Sequence, residues 1–169
     1  MSSRRIYDGR ILIFHVDEVK IDNGKVTSRE IVEHRGATAI VPILDGGNVI
    51  LVRQYRYAVS TELLEIPAGT LEPGEEPEDC ARRELEEETG YTCQTIAKLL
   101  ECFVAPGYST EKIHIYLAKD LTKTRQRTEE DEKITVENFP FEAALAKIRS
   151  GEIQDAKTIA GLLAATQSL

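Results

Sequence analysis

The 169 residues carry 21 Lys plus Arg against 29 Asp plus Glu, for a formal net charge of −8, and are 41% hydrophobic and 30% charged. That length suits one domain with a core of its own, and the acidic balance argues against nucleic acid as a partner. The longest apolar stretch, residues 37–44, has eight residues and contains Pro42, too short to cross a bilayer as a helix.

In chain order, residues 10–21 are rich in β-branched and apolar types, and Asp22-Asn23-Gly24-Lys25 supplies a tight-turn signal before a return strand at 26–34. Arg4-Arg5 is followed by no apolar run and is not read as an export signal. Residues 37–44 and 49–57 are expected to pair around Asp45-Gly46-Gly47-Asn48. A short strand at 63–66 stops at Pro67-Ala68-Gly69. Residues 76–89 give the clearest helix, with Pro77 in its first turn and Gly90 as its carboxyl-terminal cap. Strands are expected at 95–104 and 112–118, a polar loop at 121–133 and a last strand at 134–136. Helices follow at 141–149 and 155–165. Strands, helix, strands and then helices read as an α+β domain with helices on the faces of a mixed sheet. Cys80, Cys93 and Cys102 are odd in number and show no C-x-x-C spacing, which fits reduced thiols in cytoplasm.

The acidic charge is concentrated. Between Glu62 and Gly90 there are eleven acidic and two basic residues, a balance of −9, while the other 140 residues sum to +1. On the helix, Glu84, Glu87 and Glu88 share one arc flanked by Ala81 and Leu85, whereas Arg82 and Glu86 point to solvent and can pair at i, i+4. Like charges beside an apolar flank need a compensating cation. Arg83 supplies part of it, and an all-oxygen site suits a hard divalent ion. A solvated helix face and a cation site both remain open on these residues alone.

The loop before the helix, Gly69-Thr70-Leu71-Glu72-Pro73-Gly74-Glu75, completes a longer pattern. Gly69, five residues, Glu75, seven residues and then Arg83-Glu84-Leu85-Glu86-Glu87-Glu88-Thr89-Gly90-Tyr91 resembles the 23-residue Nudix box. Tyr91 stands where an aliphatic residue is commoner. The resemblance implies a Nudix-type α/β/α sandwich with a mixed sheet, preceded by an amino-terminal antiparallel β-hairpin. Residues 1–36 would form that hairpin region, for dimerisation and substrate binding, and 37–169 the catalytic domain. It also implies hydrolysis of nucleoside diphosphates linked to another moiety, with Mg²⁺ or Mn²⁺, two or three ions with substrate. By motif position Glu84, Glu87 and Glu88 would be metal ligands, joined by the Ala68 carbonyl, and Arg83 would orient the glutamates. Glu75 is either a carboxylate at the helix start, favoured by the dipole, or part of the metal shell.

Outside the box, Arg53-Gln54-Tyr55-Arg56, the run Ala105-Pro106-Gly107-Tyr108-Ser109-Thr110-Glu111 and Thr128-Glu129-Glu130-Asp131-Glu132 are similar to the ADP-ribose pyrophosphatase branch. Pro106, fifteen residues beyond the box, has the spacing associated with ADP-ribose hydrolysis. This similarity implies Glu130 as general base, with Glu129 and Glu132 as alternatives, and Pro106, Gly107 and Glu111 at the substrate. Arg56 and Arg29 are either phosphate contacts or sheet-surface salt bridges, and Arg29 would act across a homodimer. Tyr7, Tyr108, His15, His34 and His114 are read as structural. The expected reaction converts ADP-ribose or another ADP-sugar to AMP and a sugar phosphate. A GDP-mannose-type pyrophosphatase is the alternative within enzymes, and a non-catalytic ADP-ribose sensor the alternative outside them.

Overall fold

The computed structural model describes residues 2–128 and 133–168. Its amino-terminal part is an antiparallel sheet in the order β1 (Ser3–Asp8), β2 (Leu12–Lys20), β3 (Val26–His34). The expected hairpin is the β2–β3 half, closed where Ile21 N–H donates to Lys25 O and Gly24 N–H to Ile21 O. The first strand is an addition. Exposed at all six residues, it has no buried face whose alternation would mark it in sequence.

The chain then enters β4 (Ala37–Pro42), which is buried at every residue. It lies inside a mixed four-stranded sheet ordered β7 (Ala68–Thr70), β4, β9 (Lys112–Lys123), β8 (Tyr91–Phe103), parallel only between β4 and β9. An antiparallel sheet ordered β10 (Ile134–Pro140), β5 (Asn48–Arg56), β6 (Thr61–Glu65) stands beside it. This corrects the expected pairing of residues 37–44 with 49–57. The turn forms, with Leu44 N–H donating to Asn48 O and Gly47 N–H to Leu44 O. Beyond the one bridge between Ile43 and Val49, however, β4 and β5 part into different sheets. A strand apolar on both faces is stable inside a sheet covered on both sides, not in a hairpin with one wet face. Further boundaries move: β8 begins at Tyr91, β9 runs on to Lys123, into the expected loop, and β10 continues to Pro140.

Helices α1 (Pro77–Thr89), α2 (Phe141–Ser150) and α3 (Ala156–Ala165) complete the fold. Alternation along β4 and β9 divides the core between two faces. Ala37, Ala39, Val41, Ile113, Ile115 and Leu117 pack with Leu145 of α2 and Leu162 of α3. Ile40, Tyr116 and Ala118 pack with Ala81 and Leu85 of α1. The mixed sheet is therefore sandwiched between helices, as expected. Pro77 occupies the first turn of α1, and Gly90, at φ 70°, ends it by donating its N–H to Glu86 O. Among the described residues no helix is long and apolar enough to cross a membrane.

The α1 face of the core is small, so it tolerates little loss. Leu85 is fully buried there, and Leu85→Ala is expected to cost about 2–5 kcal/mol. Urea midpoints of the two proteins measure this; a midpoint equal to that of the parent would show that α1 is not packed on the sheet.

Candidate active site

The loop from β7 to α1 is built around one guanidinium. Arg83 Nε and Nη2 donate to the two oxygens of Glu75, at 2.8 and 3.0 Å, while Nη1 donates to Glu84 at 2.6 Å and Glu87 at 3.1 Å. Glu75 also accepts the Glu72 N–H at 2.9 Å. The fork from Arg83 is the main cause that holds the Glu75 carboxyl down to about 2, against an ordinary value of 4.5. The same bond raises the pKa of Arg83, which stays charged. Glu75 is thus the anchor of Arg83 here, a part that neither sequence reading gave it.

Gly69 lies on β7 against the Glu84 carboxylate. A Cβ at this glycine would stand 1.8 Å from Glu84 Oε1, so any side chain would drive that carboxylate away. Glu88 is buried, and its Oε2 accepts the Ala68 N–H at 2.9 Å. Among the described residues the acidic side chains are not gathered into one ligand cluster: Glu84 and Glu87 turn to Arg83, and Glu88 to the β7 backbone. On the far side of α1, Arg82 pairs with Glu78 at 3.0 Å and Glu86 with Arg127 at 3.1 Å, which corrects the expected Arg82–Glu86 pair. An acidic residue one turn before a basic one is the better orientation on a helix.

Glu84, Glu87 and Glu88 line a cavity of about 740 Å³, together with Ala68, Gly69, Arg83, Arg56, Arg10, Arg35, Arg127 and Thr128. Arginine and carboxylate thus face each other across one space. Arg10 and Arg35 were not found from sequence, because they reach the cavity only through the folded amino-terminal sheet. Arg35 Nη2 donates to Arg10 O at 2.7 Å, fixing the two side by side. That sheet is fastened to the loop after β8, where Val32 N–H donates to Tyr108 O and Thr110 N–H to Val32 O.

A second cavity, of about 510 Å³, adjoins the first through Arg56, Ala68, Gly69 and Thr70, and takes in Glu111, Phe103, Cys102, Asp155 and Lys157. Arg56 Nε and Nη2 donate to the two oxygens of Glu65 at 2.7 and 2.6 Å, and Lys157 Nζ also donates to Glu65. Burial pushes the Glu65 pKa up, but Arg56 and Lys157 outweigh it and hold the carboxylate ionised.

Of the residues singled out in sequence, Ala68, Arg83, Glu84, Glu87, Glu88 and Arg56 come together in the first cavity, and Glu111 lies in the second. Arg29 lines neither; its Nη1 donates to the neighbouring Ser28 carbonyl. Pro106 and Gly107 also line neither, and their loop instead fastens β3. Glu129, Glu130 and Glu132 lie outside the described residues. His15 pairs with Asp17 at 2.9 Å, His34 accepts the Gly36 N–H, and His114 stands 3.3 Å from Glu101. Burial pushes the Cys80 thiol up to about 12, which leaves it unreactive.

The NUDIX domain family matches residues 33–162. The chain is 41% identical over 160 residues to an ADP-ribose pyrophosphatase of Bacillus subtilis (strain 168), covering 94% of this chain and 86% of that protein. It is 40% identical over 149 residues to a GDP-mannose pyrophosphatase of Salmonella arizonae, covering 81% and 78%. A crystal structure of an ADP compounds hydrolase superposes with a TM-score of 0.88 at 24% identity, covering all of this chain and 92% of the other, a likeness of fold.

The Glu75–Arg83 pair has a pH signature. Its carboxyl is depressed on folding, so its contribution to stability is complete above about 4.5 and is lost as pH falls towards about 2. The stability difference between the parent and Glu75→Gln should therefore narrow over that window in urea titrations. A difference that does not change with pH would mean that Glu75 is not paired as an ion.

Proposed function

The chain belongs to the NUDIX domain family, and on that footing we propose that it hydrolyses the pyrophosphate bond of ADP-ribose, or of a related ADP-sugar, to AMP and a sugar phosphate. One observation carries this reading: the three box carboxylates and Arg10, Arg35 and Arg56 line the same cavity. Arginine forks suit phosphate oxygens, and the acidic wall that would otherwise repel a pyrophosphate is suited to a divalent cation. The similarity to an ADP-ribose pyrophosphatase gives the nucleotide.

The donors available, carboxylates and the Ala68 carbonyl, are all oxygen and fit a hard ion. Glu84, Glu87 and Glu88 would hold Mg²⁺, with Mn²⁺ as a substitute and two or three ions present with substrate. The bound cation supplies neutralisation of the pyrophosphate and a lowered pKa for the attacking water. Arg83 holds Glu84 and Glu87 on one side of the cavity, and Gly69 leaves the space that Glu84 fills. Arg56 meets a substrate phosphate. Glu111, with Pro106 and Gly107 in the preceding loop, stands on the sugar side. Glu130 takes the proton of the attacking water. Thr128, two residues before it in the chain, lines the cavity, and a carboxylate within hydrogen-bond reach of the water serves as general base.

We assign the protein to the cytoplasm and to a homodimer in which Arg29, which lines neither cavity of its own chain, serves the partner's site. Ile6, Tyr7, Ile11 and Val26 are exposed apolar groups of the amino-terminal region, of the kind that such a contact covers. A second reading, hydrolysis of a GDP-sugar, is favoured by the similarity to a GDP-mannose pyrophosphatase. Retention of Glu84, Glu87 and Glu88 favours turnover over a sensor that only binds.

Glu88→Gln tests the reading, because an amide oxygen can still accept the Ala68 N–H while the charge is lost. Mg²⁺-dependent AMP release from ADP-ribose is expected to fall by roughly a hundredfold or more, with the circular dichroism spectrum unchanged. Full activity in that variant would remove Glu88 from the cation site.

A further inference from the structure

Glu65 is the most deeply buried acid described here, at 1% exposure. An ionised carboxylate so placed is stable only if it is closely paired, and here it is paired twice. Arg56 grips it through Nε and Nη2, and Lys157 reaches it from the first turn of α3. Lys157 is itself largely buried and stands 3.1 Å from Asp155 Oδ2. The start of α3 is fixed to the same end of β6: Ile66 N–H donates to Thr158 Oγ1, and Asp155 accepts the Thr158 N–H, each at 2.9 Å.

Two consequences follow for Arg56. Its guanidinium plane is set by the fork to Glu65, which leaves Nη1 as the nitrogen that this pairing does not use. The carboxylate that sets that plane is itself held, because Lys157 also donates to Glu65. Glu65, Asp155, Arg56 and Lys157 together are neutral, so Arg56 is set here by geometry and not by a surplus of charge. Arg56 lines both cavities, at the seam formed by Ala68 and Gly69. We propose that Glu65 and Lys157 are a positioning pair that sets the direction in which Arg56 meets a substrate phosphate. This rests on the pyrophosphatase reading. Their side-chain bonds go to Arg56, to each other and to Asp155, so the pair acts first on substrate binding.

The test is steady-state hydrolysis of ADP-ribose by the full chain with Lys157→Met, which keeps the stem and drops the charge, and Lys157→Arg, which keeps the charge. Loss of one charge-assisted contact is expected to raise KM roughly tenfold, with kcat and the Mg²⁺ concentration for half activation near those of the parent. Lys157→Arg should recover most of the loss. In the background of Arg56→Ala, Lys157→Met should add little, since a residue that acts through another is silent once its partner is gone. Glu65→Gln should likewise raise KM with no change in Mg²⁺ activation. A parental KM in folded Lys157→Met, or effects of Arg56→Ala and Lys157→Met that multiply, would overturn the proposal while leaving the pyrophosphatase reading intact. Absence of turnover of any nucleoside-diphosphate sugar by the parent protein would overturn both.

Discussion

The Arg83 guanidinium, held by Glu75 and in turn holding Glu84 and Glu87, is the interaction around which the site is assembled. Three glutamates within five residues of one helix repel one another, and Glu88 is buried as well. One internal cation bonded to three carboxylates relieves part of that repulsion and fixes where the side chains lie. It does so while lining the cavity itself, beside the carboxylates that it holds. Glu75 matters because it occupies two of the guanidinium's nitrogens and thereby turns the third towards the glutamates. The conformation of the loop between Gly69 and Glu75 is what brings that anchor to the helix.

The same logic, an arginine oriented by a buried or half-buried acid, occurs a second time across the cavity. Arg56 is held by Glu65 as Arg83 is held by Glu75. In the first case the arginine serves the protein's own carboxylates; in the second it faces a space large enough for a substrate. β7 and its approach join the two halves, since Ala68 and Gly69 touch both cavities and Ile66 is tied to α3. The three-residue β7 is therefore where the two cavities share a wall. Arg10 and Arg35 close the space from the amino-terminal sheet.

What sequence could reveal divides along the line between local and distant contacts. Helix α1, its Pro77 start, its Gly90 cap and the common arc of Glu84, Glu87 and Glu88 are set within one stretch of chain, and all were legible. Arg10 and Arg35 were not, because nothing near them signals a cavity; they arrive there through the bonds of β3 to the Tyr108–Thr110 loop. That loop, picked out for substrate binding, is also what fastens β3. The expected pairing of β4 with β5 failed for a related reason. Proximity in sequence favoured a hairpin, whereas the burial of β4 on both faces demanded neighbours from far along the chain, β7 and β9. Glu65 received no role of its own, since its partners lie nine and 92 residues away.

The central claim is that the wall formed by Glu84, Glu87 and Glu88 takes a divalent cation. Paramagnetic resonance of free Mn²⁺, titrated with the protein in the presence and absence of ADP-ribose, tests it without relying on turnover. The account predicts that the free-ion signal falls as protein is added, falls further with the nucleotide, and returns when Mg²⁺ is added in excess. A free Mn²⁺ signal that protein leaves unchanged, with or without nucleotide, would contradict it.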